Sequence, residues 1–264
     1  MGSATRGALA VSRAALSTLQ NSDALAAGQQ LFAAGRVIGD SAQLRSILAD
    51  PSVAATGKAS IVDRLFSSFG APARTLLAGI VASRWSTQDQ LLAGIEEIGI
   101  RAVARSAPKG LSIESEMFSV GAAVSSDAEL ELAVGSKLGS NDAKSRLVTA
   151  LLKGKASEQS LAIVDQLVQQ PRGRRIDGLV RIAASIVADE AGLAVATVTS
   201  ASAISSAQLD RLRAGLSSSY GRDLEINLVV DPSIIGGIRV QVGDDVIDGS
   251  VSTRINELRL KLAS

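Results

Sequence analysis

At 264 residues, 46% of them apolar, the chain is long enough to bury a sizeable core. With aromatics at only 2%, that core has to be built from Ala, Leu, Ile and Val. Its 27 Lys and Arg against 26 Asp and Glu leave a net charge of +1, which removes the electrostatic case for a nucleic-acid partner. The absence of Cys excludes disulfides and thiolate metal sites.

In chain order, apolar positions Leu9, Val11, Leu16 and Leu19 with Arg6 and Arg13 between them predict a first helix from Thr5 to Thr18, broken at Asn21-Ser22-Asp23. A second helix is expected over about Ala24–Gly39, and a third from Ser41, carrying Leu44, Ile47 and Leu48, until Asp50-Pro51-Ser52 closes it. Lys58–Phe69 reads as a fourth, with Ile61, Val62, Leu65 and Phe69 on one face. Ala73–Ser83 and Thr87–Arg105 follow. The loop Ser106-Ala107-Pro108-Lys109-Gly110 reads as a boundary.

Beyond that loop the pattern returns. An offset of 86 positions superposes Leu31-Phe32 on Met117-Phe118, Gly35 on Gly121, Ala42-Gln43-Leu44 on Ala128-Glu129-Leu130, Lys58 on Lys144, Val62 on Val148 and Leu65 on Leu151. The apolar pairs Ile38/Val124, Ile61/Leu147 and Phe66/Leu152 stay in phase, as a repeated helical unit requires, although two unrelated amphipathic stretches could also align in phase. The expectation is a duplication: two similar helical domains, 1–107 and 111–191, each a bundle of the six-helix type. The second ends with Pro171-Arg172-Gly173-Arg174-Arg175 and a helix over Ile176–Glu190. A small α/β domain, 192–264, then reads as strand (Leu193–Thr199), helix, strand, strand, short strand, helix. Its first helix opens on the capping-box pattern Ser205-x-x-Gln208 and stops at Tyr220-Gly221. The fold class is therefore α+β and mainly α.

Reactive chemistry is scarce. Without His or Cys, a Ser nucleophile would need Lys, Asp or Glu as its base, and none stands out. The pairs Glu96-Glu97, Asp189-Glu190 and Asp244-Asp245 read as solvated surface or turn residues, since neighbours on a helix point in different directions. Neither Gly154-Lys155-Ala156 nor Gly236-Gly237-Ile238 completes a phosphate-binding loop. The cluster Arg172, Arg174, Arg175 reads as a solvated helix start, with a phosphate or acidic partner as the alternative. Trp85 reads as a buried anchor, with an interface anchor as the alternative. No cofactor, metal or small-molecule substrate is expected. No apolar run of about 18 residues and no secretory signal pattern is present, so any membrane association is expected to run through partners.

The densest stretch is Val229–Leu262. Leu224, Ile226, Leu228 and Val230 alternate with Glu225 and Asn227 as a half-buried strand, which Asp231-Pro232 stops. After Gly236-Gly237, Ile238, Val240 and Val242 form a second strand, Gly243-Asp244-Asp245 turns, and Val246-Ile247 returns antiparallel. Asp248 then caps a final helix with Val251, Ile255, Leu258 and Leu262 on one stripe and Arg254, Arg259 and Lys261 outward. The glycines are read as serving backbone geometry rather than a ligand.

The ordered series Asp231-Pro232, Ile235-Gly236-Gly237, Arg239-Val240, Gly243-Asp244, Val246-Ile247-Asp248-Gly249-Ser250 and the Arg254 to Leu258 spacing resembles the C-terminal signature of the delta subunits of F-type ATP synthases, the family of the oligomycin-sensitivity-conferring protein. The second helical domain makes the chain similar to the longer actinobacterial form. The resemblance implies a non-catalytic peripheral-stalk (stator) subunit at the cytoplasmic face of the bacterial cell membrane. It would hold the N-terminal helices of alpha subunits through a helical domain and the b subunits through the C-terminal region, so that the head does not turn with the rotor. Asp231, Pro232, Ile235, Gly236, Gly237, Gly243, Asp248, Gly249 and Ser250 are the signature positions, structural or b-facing. The alternative from another class is a nucleic-acid- or ribosome-associated protein using the small α/β domain, against which the near-neutral charge argues.

Overall fold

In a computed structural model, which describes residues 2–135, 139–243, 245–251, 253 and 255, the chain divides into two compact units that meet at Val187/Ala188. The described residues form twelve helices and one four-stranded mixed sheet. The first unit holds α1 (Ser3–Leu16), α2 (Asn21–Asp40), α3 (Ala42–Ala49), α4 (Ala55–Leu65), α5 (Ala71–Ala82), α6 (Gln88–Arg105), α7 (Ile113–Ser126), α8 (Ala128–Gly135), α9 (Asn141–Leu152), α10 (Glu158–Gln169) and most of α11 (Ile176–Glu190). The N-termini are set by short hydroxyl side chains that accept from backbone N–H groups left without an intrahelical partner. Ser41, Thr87, Ser112, Ser140 and Ser157 each bond the N–H three residues on.

Two boundaries differ from expectation. Asn21-Ser22-Asp23 is the first turn of α2 rather than a break, with Asp23 at the positive end of the helix dipole. The break falls at Ser17–Gln20, where Ser17 and Thr18 hydroxyls bond the carbonyls three residues back. And α4 ends at Leu65, because the chain turns at Phe66 to bring the Phe66 and Phe69 rings together, centroids 5.1 Å apart, over the core.

The helical unit contains two apolar clusters. One gathers α1–α6, including Leu16, Leu31, Ile38, Leu48, Leu77 and Ile95. The other gathers α7–α11 and also takes Phe32 of α2 and Ile100 and Val103 of α6. The helices α2 and α6 pack most intimately. A Cβ on Gly28 would meet Val103 and the Gly99 carbonyl at 2.6 and 2.8 Å, and one on Gly99 would meet the Phe32 ring at 2.5 Å. Only hydrogen at both positions permits this approach. Trp85 is buried, donates its indole N–H to the Ile80 carbonyl at 2.8 Å and covers Gly94.

The second unit is a sheet of order β2-β1-β3-β4, from β1 (Ala194–Ser200), β2 (Leu224–Val230), β3 (Ile238–Val242) and β4 (Asp245–Asp248). β1 and β2 pair in parallel and are joined through α12 (Ser206–Tyr220), while β3 is antiparallel to both β1 and β4. Ser205 and Gln208 form the reciprocal cap expected of their spacing. Gly221 at φ 66° ends the helix in the left-handed region that glycine enters at no steric cost. The small core sits between α12 and the sheet, on Ala196, Val198, Leu216, Leu224 and Val240. The alternation on β2 fades at its end, where Val229 and Val230 are 40% and 49% exposed on an edge strand. Of the expected closing helix, Val251, Thr253 and Ile255 are helical, with Val251 and Ile255 both exposed. Arg254, Leu258, Arg259, Lys261 and Leu262, like Asp244 of the turn, lie outside the described residues.

Candidate functional site

Most of the signature positions converge on one backbone joint; Gly243 (φ 59°) stands apart from it, in the turn between β3 and β4. Asp231 stops β2: its N–H reaches the Ser200 carbonyl at 2.8 Å while its carboxylate accepts from the Ser233 N–H at 2.9 Å, turning the chain at Pro232. Gly236 and Gly237 then lie against the far end of the stretch. The Val251 N–H bonds the Gly236 carbonyl at 3.0 Å, the Gly249 N–H bonds the Ile238 carbonyl at 2.9 Å, and a Cβ on Gly237 (φ 82°) would collide with the Gly249 carbonyl and come within 2.9 Å of Ser250 Cα. The signature is thus a place where two chain segments touch main chain to main chain. Asp248 sits at the end of β4, and its carboxylate accepts from the Ser250 N–H at 2.9 Å. It is Ser250 that accepts from the Thr253 N–H. The helix cap is therefore Ser250, two residues later than the sequence suggested, with Asp248 shaping the approach. Bonds from Ser233 and from Ser250 hold Asp231 and Asp248 below the usual carboxylate range. Around this joint the large side chains face water: Ile235 is 80% exposed, and Val246, Ile247, Val251 and Ile255 are open as well.

In the helical unit, a groove of about 280 Å³ opens among α7, α8, α9 and α10. Val120, Val124, Val134, Val148, Leu152 and Val164 form its walls, and Glu116 and Lys155 also line it. The Glu116 carboxylate accepts from the Ser157 N–H at 3.0 Å, the Ser157 hydroxyl at 2.6 Å and the Ser160 hydroxyl, tying α7 to the start of α10. Burial pushes Glu116 up, but these donors outweigh it and leave the group below its ordinary value. A second concavity, between α1 and α5, is more polar, lined by Thr18, Gln20, Asp23 and Thr75 beside Leu19 and Leu76. Nothing in the spacing of residues 116–176 announced the first groove, which arises from which helices the loops bring together.

The charged pairs also resolve differently from their sequence reading. Glu96 is buried rather than solvated, and its Oε1 accepts from Arg172 at 2.7 Å and from Arg174 at 3.0 Å. Its neighbour Glu97 binds Arg13 and, at 3.0 Å, Arg101. Arg175 meets Glu131 and Asp177. The basic cluster is therefore committed to the protein's own carboxylates, and its partner Glu96 lies 76 residues away in sequence from Arg172, out of reach of any local pattern. Among the described residues no three His, Cys, Asp or Glu groups are placed to hold a metal, and no helix is long and apolar enough to cross a membrane.

A helical body with an apolar groove, a small sheet domain with exposed aliphatics, and glycines and turn carboxylates used for backbone geometry define a protein that works by shape and contact. The model of the family "ATP synthase delta (OSCP) subunit" matches residues 101–262. An ATP synthase subunit delta of Leifsonia xyli is 54% identical over 263 residues, covering all of both chains. That of Streptomyces avermitilis is 37% identical over 268 residues, covering 99% of this chain and 98% of its own. A chain from the cryo-EM structure of the Toxoplasma gondii mitochondrial ATP synthase hexamer is similar at 19% identity and a TM-score of 0.42, covering 64% of this chain and 96% of that one. This chain belongs to the ATP synthase delta (OSCP) subunit family. It is a non-catalytic subunit of that complex, in the long form shared along its whole length with these bacterial relatives.

Proposed function

We propose that this subunit is the joint of the peripheral stalk of an F-type, proton-translocating ATP synthase. It would grip N-terminal helices of alpha subunits with its helical unit and the b subunits with its α/β unit, and lie at the cytoplasmic face of the membrane without entering it. The observation that carries this reading is the groove among α7–α10, which has the apolar lining that an amphipathic helix seeks and which lies inside the stretch that the family model matches. The exposed Ile235, Val246, Ile247 and Val251, all within the Val229–Leu262 stretch, are the corresponding candidates for b. The signature residues themselves hold that surface in shape.

We further infer that the helical unit arose by duplication, giving domains 1–107 and 111–191 ahead of 192–264. Helices α3 and α8 start 86 residues apart, α4 and α9 also 86, α5 and α10 87, and α6 and α11 88. The paired Lys58 and Lys144 are both buried, 3% and 6% exposed, a costly choice for lysine that is unlike chance agreement.

The test is capture by the full chain of two purified segments, an alpha N-terminal peptide and a soluble b segment. Leu151→Glu, at a residue of α9 that also lines the groove, is expected to weaken the alpha peptide at least about tenfold and leave b unchanged. Val246→Asp is expected to do the reverse. Binding of the alpha peptide that resists Leu151→Glu but is lost on Thr75→Glu moves the seat to the α1/α5 concavity. Failure of both segments to bind at micromolar concentration overturns the reading.

A further inference from the structure

The duplicated helical halves are not joined like beads on a string. We propose that α6 belongs to both repeats at once, as the last helix of the first and the opening helix of the second, so that the helical unit is one cooperative body with no hinge at residues 106–110. This rests on the duplication and not on any partner.

Four observations carry it. First, the sides of α6 divide between the two cores: Leu91, Ile95 and Ile98 enter the first, while Ile100 and Val103 enter the second. Second, position in the repeat agrees. The first repeat opens with α1 (Ser3–Leu16), and moving that range by 86 residues lands it wholly within α6, Gln88–Arg105. Third, the same kind of contact recurs. In the first repeat the loop between the last two helices returns to the opening helix, where the Ser86 N–H bonds the Thr5 hydroxyl at 3.2 Å. In the second, the loop between α10 and α11 returns to α6, where Arg172 and Arg174 clamp Glu96. Fourth, α2 of the first repeat packs against both α6 and α10. Phe32 enters the second core, Arg36 bonds Gln166, and Gln170 donates to the Gly35 carbonyl at 2.9 Å.

The loop that reads as a linker is pinned too. Gln159 donates to the Ser106 hydroxyl at 3.3 Å, and Ala107 and Leu111 pack on the second core. A helix with both flanks buried in different cores cannot leave one without unmaking the other. The repeats therefore open together, and a subunit under torque has no soft point between them.

Hydrogen exchange on the isolated full chain tests this. Leu77→Ala removes a fully buried side chain from the first core, far in sequence from the second. The slowest-exchanging amides of α5 are expected to lose about a hundredfold of protection, and those of Val164, Leu167 and Val168 in α10 to lose the same factor. Should Leu77→Ala fail to fold, Ile80→Val applies the same test with a loss of about fivefold. Protection that falls in α1–α5 while α10 keeps its wild-type values overturns the shared helix, and leaves the proposed binding of alpha and b untouched.

Discussion

On the duplication proposed above, the two halves of the helical unit would share one plan with different fillings. At the walls of the second-half groove stand Val124, Val134, Leu152 and Val164. The matching positions of the first half hold Ile38, Leu48, Phe66 and Leu77, each larger and each at most 3% exposed, whereas Val120 and Val148 of the same walls match Ala34 and Val62, which are not larger. Lys155, on the groove wall, corresponds to Phe69, whose ring meets Phe66. Trimmed side chains on an unchanged scaffold leave space that the backbone does not close, since packed helices relax only partly around a lost methylene. At these four positions the first half is filled and the second is open, while the first half keeps its own concavity elsewhere, between α1 and α5. At those four positions the difference lies in side-chain volume, so substitutions there should shift one half toward the other.

The largest effect is expected from emptying the filled half. Phe66→Ala should cost about 4 kcal/mol in urea denaturation, because the ring is buried among core residues. Leu152→Ala, at the equivalent but half-exposed position, should cost about 1 kcal/mol. Equal losses would mean that the two sites are filled alike. Next comes the clamp on α6. Glu96→Ala strands two guanidinium groups near the core and should cost about 3 kcal/mol, whereas Thr5→Ala, at the neutral counterpart, should cost about 1 kcal/mol. Filling the open half has the opposite sign. Leu152→Phe is expected to raise stability by about 1 kcal/mol while weakening the alpha peptide, and tighter binding of that peptide would contradict the seat.

Much of the scaffold was legible before any coordinates, because its signals are local. The Ser205/Gln208 cap, the stop at Gly221, the hairpin from Ile238 to Asp248 and the whole of Ile176–Glu190 follow from spacing and from turn chemistry. The Phe66 turn was not. An apolar residue in phase with Val62 looks like more helix, and only the closed core shows that the chain bends there to bury it. Nor could the groove or the Glu96 clamp be read, because both depend on residues tens of positions apart meeting after α6, α7 and α10 have packed. For Asp248 the sequence points to the right neighbourhood, while the structure gives the helix cap to Ser250. Any Asp two residues ahead of a Ser can cap or turn, and the difference is settled by which N–H each faces.

The smallest predicted effect isolates one atom type in the comparison. In both halves a side chain ties the second helix of the repeat to the start of the fifth: Gln30 accepts from the Gly70 N–H at 2.9 Å, and Glu116 accepts from the Ser157 N–H at 3.0 Å together with two hydroxyls. The amide does not titrate, but the carboxylate does. Its folded value lies below its ordinary 4.5, so the stabilisation it gives is complete above pH 4.5 and fades as pH falls through the lower, folded value. Acidification should therefore release the N-terminal amides of α10 to hydrogen exchange before those of α5. Half-exposed and screened, the tie contributes only about 0.5 kcal/mol. Glu116→Gln gives the second half the first half's non-titrating amide acceptor and should make the two respond alike to acid. An α10 that still loosens first in Glu116→Gln would place the acid sensitivity on another carboxylate.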